Sequence, residues 1–227
     1  MQDGDEEDEH PSDEDYMPGK VSEGEPKIGA TMAKDMAMHN EKEKKITEAQ
    51  FSVNIIDLFA TPKEMRFGEW NSRPLVESEW KKLKTSMTVQ GIKSFTSEHM
   101  MPLVIRRGYV DTSCVQQNVS GYEAKTLVLS EAGERELGKL EMAGGRHRKA
   151  ALESIKADKE KELSRLEKQH GTLTRRKIVK TEALARKMEA LAAYEKSIAE
   201  LQEEISKIGQ WGVILYDKGK LIVIKLL

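Results

Sequence analysis

The chain has 227 residues, 38% of them apolar and 33% charged, with one cysteine and a formal net charge of −2. The apolar share is low for one compact globule of this length, so part of the chain is expected to be tail or solvated helix. Cys114 alone excludes an internal disulfide framework and suits a reducing compartment. No apolar run approaches the ~20 residues that span a bilayer, and the N-terminus is acidic rather than signal-like. The chain therefore reads as intracellular, cytoplasmic or nuclear, with no membrane partner. His10, His39, His99 and His170 are too scattered to suggest a metal site, and none is assigned.

Residues 1–26 hold eleven Asp/Glu and one Lys; with scattered Pro and Gly and little to bury, they are expected to be disordered. The remainder carries 36 basic against 28 acidic residues, so an acidic leader precedes a modestly basic body. Residues 27–50 read as polar linker with a frayed helix over Thr31–Gln50, which makes 1–50 tail and linker. "FSVNIIDLFATP", from Phe51, predicts a first strand closing at Pro62. Phe67–Pro74 reads as a loop. Val76, Trp80, Leu83 and Met87 recur at steps of 4, 3 and 4, the stripe of a helix that Gly91 stops.

Met101–Arg107 reads as a short buried strand opened by Pro102. Residues 108–133, with the strand-like "KTLVLS", read as an inserted loop or hairpin, and Gly133–Glu136 as a turn. Glu136–Gly145 reads as a strand running into paired glycines. Arg146–Ile208 is a charged helical zone. Within it Leu184, Met188, Leu191, Tyr194, Ile198, Leu201, Ile205 and Ile208 approximate a heptad seam. One helix of ~60 residues would run ~90 Å and carry the last segment away from the only sheet. A helical hairpin is expected instead, broken at 170–173 or 178–181. Trp211–Leu227 predicts a β-hairpin turning at Asp217-Lys218-Gly219. The expected fold is α+β: a small mixed sheet begun by 51–155, a coiled-coil hairpin inserted at 156–208, and closing strands at 209–227.

"EMAGGRHRKAAL", Glu141–Leu152, places two glycines and three basic residues at the mouth of a helix. A helix start presents about four unpaired backbone N–H groups and a partial positive charge, and glycine lets a ligand approach the backbone closely. Gly144, Gly145, Arg146, His147 and Arg148 are therefore the candidate phosphate-binding residues. A glycine turn into a basic, solvent-facing helix uses the same residues equally well.

The succession of strand 51–60, "NSRP" loop, helix ending in "SMTVQGI", proline-led strand and strand–"GGRHRKAAL"–helix resembles the ParB/sulfiredoxin-like superfamily. The likeness covers about 51–152 and 211–227. It rests on Asn71 and Arg73, the helix end at Ser86–Ile92, the Pro102 strand, and Gly145-x-His147-Arg148-x-x-Ala151. The resemblance implies a small α/β sheet whose glycine loop and following helix start cradle a nucleotide's phosphates. It further implies CTP or ATP with Mg²⁺ as the ligand class, and a second ligand loop at Asn71 and Arg73. The chain departs from the family at Arg146, which stands where sulfiredoxins carry their catalytic cysteine. The acidic residue of the partition proteins' Gly-Glu-Arg-Arg is also missing, and no helix-turn-helix follows. No catalytic residue is assigned, and Cys114 reads as an incidental thiol.

Three readings follow. The leading one is a module binding a nucleotide or nucleic-acid phosphate, with residues 156–208 as an arm for self-association or a protein partner. A nuclease or phosphotransferase would need a carboxylate beside the glycines to hold Mg²⁺; Glu141 is nearest, on either side of its strand. The third is an interaction protein with a degenerate pocket, acting through its coiled coil. DNA binding is weakly indicated, because many Lys/Arg alternate with Glu along the helices, where i,i+4 pairing accounts for them.

Overall fold

The computed structural model describes residues 28–70, 73–177 and 181–225. The acidic leader, Asn71 and the positions 178–180 lie outside these residues. The chain divides into two compact units, Met1–Glu41 and Lys42–Leu227. The described part of the first is helical from Ile28. The second begins within the same helix, α1 (Ile28–Ala49), and contains the sheet.

That sheet has five strands in the order β1 (Gln50–Asp57), β5 (Gln210–Asp217), β3 (Met101–Ile105), β4 (Lys139–Met142), β2 (Glu64–Phe67). The β1/β5 and β3/β4 pairs are antiparallel, while β5/β3 and β4/β2 are parallel. Alternation divides the strands cleanly. Met101, Leu103, Leu140, Met142, Trp211, Val213 and Leu215 share one face and are at most 1% exposed. Leu152 and Ile155 of α4 (Arg146–Arg175) and Ile208 of α5 (Thr181–Ile208) pack into the same core. Glu141 and Arg66 lie on the opposite face, paired in register across β4 and β2.

The expected strand at 51–60, the helix at 76–90 and the proline-led strand match β1, α2 (Glu77–Gln90) and β3. α2 starts with Glu77 and Glu79 against its positive end and stops at Gly91, whose φ of 82° suits glycine. The loop expected over Phe67–Pro74 gives up Phe67 to β2, a strand the sequence reading missed. The turn expected at Gly133–Glu136 is the body of a short helix, α3 (Glu131–Glu136), capped by Ser130.

The segment 108–133 serves as a cover for the outer edge of β1. Val53 donates to the Gln116 carbonyl at 3.1 Å, Ile55 to that of Lys125 at 2.9 Å, and Leu127 back to Ile55 at 2.8 Å. Asn54, fully buried, ties this cover down: its amide donates to the carbonyls of Cys114 (2.8 Å) and Lys125 (3.2 Å) and accepts from Ser52 at 2.7 Å. Cys114 is buried at the join, its thiol directed at the Asp111 carbonyl.

The helical hairpin is present. α4 and α5 pack side by side and antiparallel, as the cross-links Lys159–Glu204 (2.6 Å) and His170–Glu195 (3.5 Å) require. Gly171 lies inside α4, so the helix does not break at the earlier of the two expected positions; α4 ends at Arg175, and the later expected break includes 178–180, outside the described residues. Lys187 of α5 caps the end of α4, donating to the carbonyls of Thr174 and Arg176 at 2.9 and 2.8 Å.

The C-terminal β-hairpin is corrected. Its first arm is β5, but the chain then enters a helix, α6 (Lys218–Lys225). The reason is topological: β5 is a central strand, with β1 on one side and β3 on the other. No edge of β5 remains for a second arm to pair with.

Candidate functional site

α2 and α4 lie against each other in parallel. Val76 meets His147, and Lys84 meets Ser154 (3.0 Å) and Asp158 (2.5 Å), a near-constant offset along both helices. Their N-termini therefore open together, onto a cleft of about 710 Å³. Gly144, Gly145, Arg146, His147 and Arg148 line it from α4. Arg73, Pro74, Val76 and Glu79 line it from α2 and the preceding segment, and Phe67 and Met142 form part of its wall. The five expected glycine-loop residues and Arg73 thus come together; Asn71 lies outside the described residues. The volume is within the ~300–1,000 Å³ usual for small-molecule sites.

Gly145 sits at the junction with φ 91°, a left-handed conformation costly for any residue with a side chain. A Cβ placed there would lie 2.3 Å from the sulfur of Met101. One at Gly144 would touch Pro102 at 3.3 Å. Both glycines are thus explained by the need to bring the α4 start hard against β3.

The first turn of α4 is electrostatically unusual. It has no side-chain cap and no acidic residue, and its first three positions are Arg146, His147 and Arg148. α2 carries Glu77 and Glu79 in its first turn and α5 carries Glu182, whereas α1, like α4, carries no acid there. Cations at a helix's positive end oppose the macrodipole, each by about 0.3–1 kcal/mol.

The three basic side chains have different attachments. Arg146 is exposed at the cleft. His147 accepts the Val76 N–H through Nε2 at 3.0 Å; that ring nitrogen is therefore unprotonated and the proton of the neutral ring sits on Nδ1. Arg148 turns to the turn at Ser97–His99, donating to the carbonyls of His99 at 3.2 Å and Glu98 at 3.4 Å. Burial pulls its pKa below the ordinary arginine value, although it stays charged at any physiological pH.

Glu141 faces away from the cleft. Its carboxylate accepts from Lys218 at 2.5 Å and from the Trp70 indole at 3.0 Å on the opposite side of the sheet. Burial works to raise its pKa. The hydrogen bonds from Lys218 and Trp70, with the charges of Lys218 and Arg66, outweigh that and hold it below the usual carboxylate range. The carboxylate lining the cleft is instead Glu79, paired with Lys82 at 3.3 Å. Among the described residues no three His, Cys, Asp or Glu side chains converge as metal ligands would, and no helix is long and apolar enough to cross a membrane. The meeting of the two helix starts, and Glu79 with it, escaped sequence reading because adjacency of α2 and α4 is a tertiary fact. No protein-family model, curated protein or solved structure matches the chain.

Proposed function

We propose that the cleft at the starts of α2 and α4 binds the phosphates of a nucleotide, in a domain of ParB/sulfiredoxin-like kind whose helical hairpin serves as an arm toward a macromolecular partner. The observation that carries this is the first turn of α4: three basic residues at an uncapped positive helix end, opening into a cleft. An anion there would accept from the first-turn amides and offset the opposition between dipole and side chains. Arg146 and Arg73 supply charge, and the Nδ1–H of His147 supplies a further donor. Arg148 positions the loop rather than the ligand. A phosphate in this place needs no thiol, in keeping with Arg146 at the sulfiredoxin cysteine position.

Calorimetric titration with CTP, ATP and GTP tests the reading. At least one is expected to bind the wild type, and Arg146→Ala or Arg73→Ala to weaken it about ten-fold or more, as loss of a charge-assisted contact does. No heat with any of the three, or unchanged isotherms in both variants, would contradict it.

A further inference from the structure

The cations of the hairpin differ in their partners. Lys149, Lys156, Arg186, Lys196 and Lys207 each pair with a carboxylate one turn away, and Lys159 pairs with Glu204 across the hairpin. Lys168, Arg175 and Arg176 form no ion pair among the described residues, Arg165 pairs with Glu162 at 4.0 Å, and the charge of Lys161 reaches Asp158 and helps lower its pKa. Four of these five lie on the distal half of α4 and the fifth, Arg176, is its C-cap; all are exposed.

They also share one side of the helix. Positions 161, 165, 168, 172 and 175/176 follow steps of three and four, so their side chains form a single ridge. Ser164 and Thr172 fill the remaining places on it, and no carboxylate does; Glu160, Glu162 and Glu167 project to the flanks. The ridge extends about 22 Å at 1.5 Å per residue. Two shallow depressions of about 550 and 480 Å³ follow it and share Lys168. Glu160 borders the first and is engaged by Lys156.

We infer that this ridge is a docking surface for the phosphate backbone of double-stranded DNA. Exposed cations at regular intervals, with small hydroxyl residues between them, are the groups that contact successive phosphates. An exposed ridge of one helix, about 10–12 Å across, matches the ~12 Å major groove of B-form DNA, whereas the A-form groove is too narrow. The ridge has no aromatic side chain on which unpaired bases would stack; Tyr194 lies beside it on α5, half-buried. It also lacks the apolar anchors typical of protein interfaces. The surface is separate from the cleft, and its test does not depend on nucleotide binding.

The test is fluorescence anisotropy of a labelled B-form duplex with the full chain over a range of salt concentrations. One variant carries Lys161→Gln, Arg165→Gln and Lys168→Gln. Its control carries Arg186→Gln, Lys196→Gln and Lys207→Gln, an equal charge change on α5. The wild type is expected to bind with strong salt dependence. The α4 variant is expected to bind at least ten-fold more weakly, with the log–log salt slope shallower by about 2.7, or 0.9 per lost contact. The control should stay within about three-fold of the wild type, since its three cations lie on α5 and off the ridge. Absence of wild-type binding, equal weakening by both variants, or an unaffected α4 variant would overturn the inference. So would displacement of the duplex by polyglutamate at equal charge concentration, which would identify an acidic polypeptide as the partner.

Discussion

Arg148 donates to the backbone carbonyl of His99 at 3.2 Å, and thereby fastens the first turn of α4 to the turn that leads into β3. The indole of Trp211, in central strand β5, reaches the same oxygen at 2.8 Å. A residue that the resemblance would give to a ligand is thus built into the scaffold that shapes the cleft. Arg148→Ala is expected to lower unfolding free energy by about 1–3 kcal/mol, the range for losing hydrogen bonds from a charged group. Arg148→Lys should restore only part of this, because one ammonium cannot reproduce the guanidinium fork. Urea unfolding without added nucleotide measures both. Wild-type stability in Arg148→Ala would show these bonds to be dispensable.

Two glycines, Gly145 capping α4 and Gly171 within it, should respond in opposite directions. Gly145→Ala meets a positive φ and the Met101 side chain, and is expected to destabilise by about 2–4 kcal/mol. Gly171 is inside the helix with open space around its Cβ position, so Gly171→Ala should stabilise by about 0.5–1 kcal/mol. Thermal unfolding of both variants would compare them directly.

The paired glycines, the basic triplet and the helix they open were legible because they follow one another in the chain. The strand from Phe51, the stripe of α2 and the part of the α5 seam from Leu191 to Ile208 were legible from periodicity, whereas Leu184 and Met188, expected in the same seam, are exposed. The errors share a cause: strand propensity in Trp211–Leu227 is real, but whether a second arm can form depends on which edges of β5 are free, and residues more than fifty positions away occupy both. β2 was missed because four residues, Glu64–Phe67, are too few to establish alternation. The bonds of Arg148 to the His99 and Glu98 carbonyls were not legible, because a basic residue at a helix start looks alike in sequence whether it faces a ligand or a carbonyl.

Asn54 holds the covering segment to β1 through a fully buried amide. Asn54→Ala leaves the Cys114 and Lys125 carbonyls without this donor and should cost about 2–3 kcal/mol. Amide hydrogen exchange is expected to quicken at Val53, Ile55 and Leu127 first, since their bonds cross that junction. Uniform loss of protection throughout the sheet would instead place Asn54 in the global core.

The Glu141–Lys218 pair makes a pH-dependent contribution. Its folded pKa lies below the unfolded one, so the contribution is complete above the unfolded value, about 4.3, and disappears as pH falls through the folded value. Lys218→Met is therefore expected to cost about 1 kcal/mol at neutral pH, with the difference from wild type shrinking on acidification. A gap that is constant with pH would show that Lys218 acts through packing alone.

The most direct measurement is the urea midpoint of the wild type and of Arg146→Glu, each with and without inorganic pyrophosphate. Placing an acid at the first position of α4 should raise stability by about 0.5–1 kcal/mol in anion-free buffer. Pyrophosphate should then stabilise the wild type and leave the variant unchanged. A wild type indifferent to pyrophosphate, or a variant stabilised as much as the wild type, would contradict an anion site at this helix start.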